Sequence, residues 1–146
     1  MVCLGNICRS PLAQALLESK VDSDKIMVDS AGTSNYHVGD SPDARSVRIG
    51  REFKLDLSAQ RGRQFEISDF DEFDQIFVMD RENYSDVISL ARNEKDKAKV
   101  SMILNKIFPN ENRDVPDPYF GEGEEGFLKV YKLLDSSCDQ IAKELS

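Results

Sequence analysis

The stretch Val2-Cys3-Leu4-Gly5-Asn6-Ile7-Cys8-Arg9-Ser10-Pro11 decides how this chain folds and what it holds. A cysteine and an arginine stand five residues apart, and Ser10-Pro11 then predicts a helix N-cap followed by proline at the first helical position. Five intervening residues can curl so that the N–H groups from Leu4 to Cys8 point inward as an anion nest. Gly5 supplies the positive φ or the close approach that such a turn requires. The helix dipole adds positive potential at the same point, and the Arg9 fork matches two phosphate oxygens. That field also favours thiolate over thiol at Cys3, and Ser10 is placed to give its hydroxyl proton to the sulfur. The Cys-to-Arg spacing alone equally fits a small buried cysteine beside a surface arginine. The Gly, Asn, Ser and Pro around it favour the loop-to-helix phosphate site.

Outward from this loop, Leu12, Ala13, Leu16 and Leu17 form a helical stripe to about Lys20. Ile26-Met27-Val28 reads as a buried strand, and Ser41-Pro42 repeats the cap-and-proline signal before Val47, Ile49 and Phe53. Ser68-Asp69-Phe70 predicts a short helical turn. Gln75 to Met79 is the clearest strand, a helix follows from about Glu82, and Lys99 to Ile103 is a further strand. Residues 109–126 form a loop rich in Pro, Gly and acid, and Phe127, Val130, Tyr131, Leu134, Cys138 and Ile141 then mark a last helix. Strands alternating with helices imply parallel pairing and a three-layer α/β sandwich, with ligand at the carboxyl ends of the strands.

The chain has 146 residues, 40% of them hydrophobic, which suits one domain over 1–146 with a real core. No apolar run reaches the roughly 18 residues of a membrane span, so a cytoplasmic location is expected. Charges balance over residues 1–66, and residues 67–146 carry the whole net charge of −8. An acidic chain is a poor general binder of nucleic acid, so phosphate must be held by a few well-placed donors. Three cysteines and one histidine fit neither a disulfide framework nor a zinc site, and no metal or cofactor is expected.

The run from Val2 to Pro11 resembles the signature loop of the low-molecular-weight protein tyrosine phosphatases. The resemblance continues at Asp29-Ser30-Ala31-Gly32-Thr33, Tyr36-His37-Val38-Gly39, Pro42-Asp43-Ala44-Arg45, Met79-Asp80 and Asp117-Pro118-Tyr119, in the family's order. It implies a four-stranded parallel sheet of flavodoxin-like order 2-1-3-4, and hydrolysis through a cysteinyl-phosphate intermediate. Cys3 would be the nucleophile, Arg9 the phosphate clamp, and Asp117 the general acid and then base. The residues alone do not choose Asp117 over Asp114, Glu122, Glu124 or Glu125, although Pro116 and Pro118 stiffen its backbone. The resemblance makes Asn6 and Ser30 braces of the loop, and Tyr36 and Tyr119 the cleft walls that meet an aromatic substrate. It makes Cys8 a partner that traps oxidised Cys3 as a disulfide. It also implies phosphotyrosine proteins as substrates, bacterial tyrosine kinases among them, and affinity for inorganic phosphate and other oxyanions.

Three departures stand out. Only Met1 and Val2 precede Cys3 where the family has several apolar strand residues, so the first strand reads as truncated and destabilising. Gln60 stands where many members have a histidine of the bracing network, and Phe120 where many have a second tyrosine. Among rivals, a related arsenate reductase needs a later cysteine pair that this chain lacks. An arginine phosphatase tends to have threonine at the position of Ile7. A phosphate-binding module would need neither Cys3 nor Asp117.

Overall fold

The computed structural model describes residues 1–120 and 123–146, so Glu122 lies outside the described residues. Four short strands, β1 (Val2–Cys3), β2 (Ala31–Gly32), β3 (Ile76–Val78) and β4 (Val100–Met102), pair in parallel in the order β2-β1-β3-β4. Helices α1 (Arg9–Glu18), α2 (Ala44–Glu52), α3 (Asp69–Glu72), α4 (Arg81–Ser89), α5 (Glu94–Ala98) and α6 (Glu124–Leu145) flank the sheet, with 3-10 turns at Ile103–Lys106 and Pro118–Phe120. The expected three-layer architecture and strand order are both present. No helix among the described residues is long and apolar enough to cross a membrane.

Successive strand residues serve opposite layers. Val2, Ile76, Val78, Val100 and Met102 join Ala31, Phe65, Phe70 and Val87 in one core. Cys3, Phe77 and Met79 face a larger core built on Leu12, Leu16, Val130, Leu134 and Ile141 of α1 and α6. A side chain of that size contributes about 1.5–3 kcal/mol when fully buried, so the α1–α6 contact is a main anchor for the helix that follows the Cys3 loop.

Several boundaries differ from the sequence reading. Residues 26–28 are not a strand, and Met27 is 67% exposed. Pairing with β1 starts only where Met1 begins: the Met1 amine donates to the Asp29 carbonyl, and the Ala31 N–H to the Met1 carbonyl. Residues 26–28 lie before the first bond of that pairing. Helix α1 starts at Arg9 with Cys8 at the N-cap and no side-chain cap bond, so Ser10 lies in the first turn and is not the cap. The cap of α2 is Asp43, whose carboxylate accepts from the Arg45 N–H, rather than Ser41. Helix α5 was not visible in the sequence, being short and polar, with its cap formed by Asn93.

Candidate active site

The loop between β1 and α1 wraps around the Cys3 sulfur. The Asn6 N–H donates to Cys3 Sγ at 3.2 Å, and Ser10 Oγ lies 3.0 Å from it. Asn6, not Gly5, carries the positive φ, at 57°, a conformation asparagine tolerates well. Gly5 serves the close approach instead, since a Cβ there would lie 3.0 Å from His37 Cδ2. Gly32 supports the loop from below, where a Cβ would fall 2.8 Å from the Leu4 carbonyl oxygen. The N–H groups of Gly5, Ile7 and Cys8 have no acceptor among the described residues, and the first turn of α1 adds further N–H groups without intrahelical partners. With no side chain capping that turn, these donors converge on one anion-sized space.

A hydrogen-bond chain fixes the protons. The Arg63 N–H donates to Asn6 Oδ1 at 3.0 Å, which orients the amide. Asn6 Nδ2 then donates to Ser10 Oγ at 2.8 Å and to Ser30 Oγ at 2.9 Å. Ser30 passes its own proton to Gln14 Oε1 at 2.6 Å. Ser10 therefore accepts from Asn6 and keeps its proton for the Cys3 sulfur. Asn6 and Ser30 stand where the resemblance placed them, whereas Gln14 and Arg63 had no role in the sequence reading. Gln60 does not join this chain. Its Nε2 donates to the Pro11 carbonyl at 3.0 Å, and its buried Oε1 has no partner among the described residues.

Arg9 is 2% exposed and held on one side by two acceptors, Asp80 Oδ2 at 2.7 Å and the Val115 carbonyl at 2.9 Å, both on Nη1. Its Nη2 lies 3.6 Å from Asp117 Oδ2. Burial opposes its charge, but Cys3, Asp80 and Asp117 outweigh that and hold the guanidinium above its ordinary pKa. Asp80 also caps α4 by accepting from the Asn83 N–H at 2.7 Å. It is the chief site residue without a role in the sequence reading, where it stood only beside Met79 in the family resemblance. The available cue was an acid immediately after a buried strand and before a helix.

The space over Cys3 is a cleft of about 160 Å³ lined by Cys3, Leu4, Gly5, Ile7, Cys8, Arg9, Tyr36, His37, Asp117 and Tyr119. The sequence-derived Cys3, Arg9, Asp117, Tyr36 and Tyr119 thus meet at one opening. His37, to which the sequence analysis assigned no role, is a wall of the cleft, with Nδ1 2.9 Å from Asp40 Oδ2. Its loop is clipped to Gly62 by two backbone bonds, Gly39 N–H to Gly62 and Gly62 N–H to Asp40, each 2.8 Å. Opposite, Asp117 accepts from the Tyr119 N–H at 3.0 Å. The Arg45 guanidinium sits 5.6 Å from the Tyr119 ring centre and 4.7 Å from that of Phe127, joining this wall to α6. Cys8 is buried and free; burial, with Asp43 and Cys3 adding to it, pushes its thiol up to about 12.

Known proteins agree with this geometry. The family model described as low molecular weight phosphotyrosine protein phosphatase matches residues 1–146. A putative low molecular weight protein-tyrosine-phosphatase of Synechocystis is 42% identical over 99% of this chain and 93% of its own length. The crystal structure of a protein tyrosine phosphatase from Entamoeba histolytica, with Hepes in the active site, superposes with a TM-score of 0.91 at 36% identity, covering 99% of this chain and 93% of that one. A Drosophila arginine phosphatase superposes with a TM-score of 0.89 at 31% identity, covering 99% and 95%. A cysteine-floored anion loop on a 2-1-3-4 sheet, with relatives that span both chains nearly end to end, has one consequence: the chain belongs to the low molecular weight phosphotyrosine protein phosphatase family.

Proposed function

We propose that Cys3, Arg9 and Asp117 carry the hydrolysis of phosphotyrosine in this chain, in two displacements. In the first, Cys3 Sγ attacks phosphorus in line, the bond from phosphorus to the phenolic oxygen breaks, and Asp117 gives that oxygen a proton. In the second, Asp117 takes a proton from water, the water oxygen attacks phosphorus, and the S–P bond breaks to return the thiolate and free phosphate. Arg9 and the loop N–H groups hold the equatorial oxygens, on which charge develops in both steps. Ser10 stabilises the sulfur when it leaves. Tyr36 and Tyr119 flank the aromatic ring. Cys8 protects Cys3 by disulfide formation after oxidation.

What supports this reading is that Asp117 shares the lining of one cleft with Cys3 and lies 3.6 Å from Arg9. The test is turnover of p-nitrophenyl phosphate. We expect hydrolysis by the wild type, none by Cys3→Ser, and a kcat reduced roughly 10²–10⁴-fold in Asp117→Ala. Binding of phosphate by the wild type without turnover would overturn the proposal. Phosphoarginine peptides belong in the same assay, because one similar structure is named an arginine phosphatase. The apolar Ile7 in the cleft lining favours phosphotyrosine.

A further inference from the structure

A second groove adjoins the cleft. It has a volume of about 420 Å³, and its lining includes Leu4 and Tyr36, which the catalytic cleft shares. Tyr36, 78% exposed, is therefore a partition between two spaces and not an outer edge. Leu4, Phe65, Val87 and Leu90 supply the apolar part of its lining, and Thr33, Ser34, Gln64, Asp86 and Ser89 the polar part.

Two of the polar groups, Asp86 and Thr33, are the more telling. Asp86 lines the groove and has no cation partner among the described residues. Other acids around the cleft are engaged: Asp40 with His37, Asp43 with Arg45, Asp114 with Arg81. Thr33, just after β2, donates its N–H to the Cys3 carbonyl and accepts at its own carbonyl from Gln64, while its hydroxyl has no partner among the described residues. A long aliphatic stem with a cationic head fits this combination: the stem lies on the leucines and Tyr36, and the head meets a lone carboxylate. Asp86 is exposed, so a cationic head adds a charge complementarity that a neutral occupant lacks, and an acidic occupant would be repelled.

We propose that this groove is a second subsite, taking an arginine or lysine side chain that flanks the phosphotyrosine of a substrate chain. The inference rests on the phosphotyrosine reading of the cleft. A chain whose phosphotyrosine ring stands between Tyr36 and Tyr119 continues over Tyr36 into the groove.

The test uses two phosphopeptides that differ only in arginine against norleucine beside the phosphotyrosine, with p-nitrophenyl phosphate reporting the cleft alone. In the wild type we expect kcat/KM to favour the arginine peptide by about three-fold or more. Asp86→Asn should abolish that preference and Asp86→Lys invert it, while turnover of p-nitrophenyl phosphate changes by less than about two-fold. Asp74→Asn, which removes the same charge at the opposite end of the sheet, should retain the preference. A preference that survives in Asp86→Lys, or is lost equally in Asp74→Asn, would overturn the groove while leaving the cleft intact. Absence of p-nitrophenyl phosphate turnover in the wild type would overturn the reading of the cleft and the groove with it.

Discussion

At the scale of single residues, the site depends on which atom owns each proton. Asn6 spends both amide hydrogens on Ser10 and Ser30 and accepts from Arg63. Asn6→Ala removes three hydrogen bonds and puts alanine at a φ of 57°, whereas Ser10→Ala removes only the donor to the sulfur and the acceptor for Asn6. A hydrogen bond to a charged group contributes about 1.5–3 kcal/mol, so Ser10→Ala should lower kcat roughly 10–100-fold, and Asn6→Ala more. Kinetics with p-nitrophenyl phosphate check both, with circular dichroism as the control for folding. The three cysteines should also react unequally. Burial is the main reason that the thiols of Cys8 and Cys138 are each pushed up to about 12. At pH 7 their thiolate fraction is then on the order of 10⁻⁵. Iodoacetate at pH 7 should label Cys3 first, phosphate should protect it, and peptide mapping reads the outcome. Labelling of Cys8 or Cys138 ahead of Cys3 would contradict the assignment. The sequence made Cys3, Arg9 and Ser10 legible as candidates through their types and spacing, whereas Asp117 stood out from its acidic neighbours only through the family resemblance. It was silent about Gln14 and the Arg63 backbone, whose roles exist only once distant segments meet.

At the scale of elements, one carboxylate joins a helix to the site. Asp80 caps α4 and holds Arg9. Asparagine can still cap but cannot pair with the guanidinium, so Asp80→Asn isolates the second function. Loss of a partner from a largely buried pair should cost about 2–4 kcal/mol, and Asp80→Ala about 1 kcal/mol more through the lost cap. Urea unfolding of the two variants measures the difference. If Asp80→Asn kept both stability and kcat, Asp80 would not position Arg9. The first strand offers a second test. The Met1 amine is buried, and that burial lowers its pKa from 8.0 to about 6 despite Asp29 nearby. The unfolded chain then binds more protons between pH 6 and 8, so stability rises with pH across that window, by up to about 2–3 kcal/mol. A groove lined by Ile26, Val28, Phe73 and Ile141 lies beside Met1. An apolar extension upstream should occupy it, raise Tm by several degrees and flatten the pH dependence. An unchanged Tm would refute this. The apolar run at residues 26–28 looked like a strand, but the pairing of its segment with β1 begins only at Asp29. Helix starts were misplaced for another reason: Ser-Pro marks a turn of the chain, but the cap belongs to whichever residue reaches the first N–H groups, which is Asp43 in α2.

At the scale of the whole molecule, a net charge of −8 surrounds a site that draws anions inward. Long-range repulsion should slow acidic phosphopeptides, and salt should relieve it, since the screening length shortens to about 8 Å at physiological ionic strength. We expect kcat/KM for an acidic phosphopeptide to rise roughly two- to three-fold from low to physiological ionic strength, and that for a basic one to fall. Stopped-flow or initial-rate measurements over a salt series decide it. The overall architecture was legible because strand and helix periods alternate along the chain, whereas the contacts that complete the site span nearly its full length. Arg9 is fixed by Asp80 and by the Val115 carbonyl, 106 positions further on. A fragment ending anywhere between Asp80 and Val115 would therefore keep the nucleophile, its loop and one acceptor for the guanidinium, yet lack both the Val115 carbonyl and Asp117, so damage far along the chain disarms a cysteine whose own surroundings stay whole.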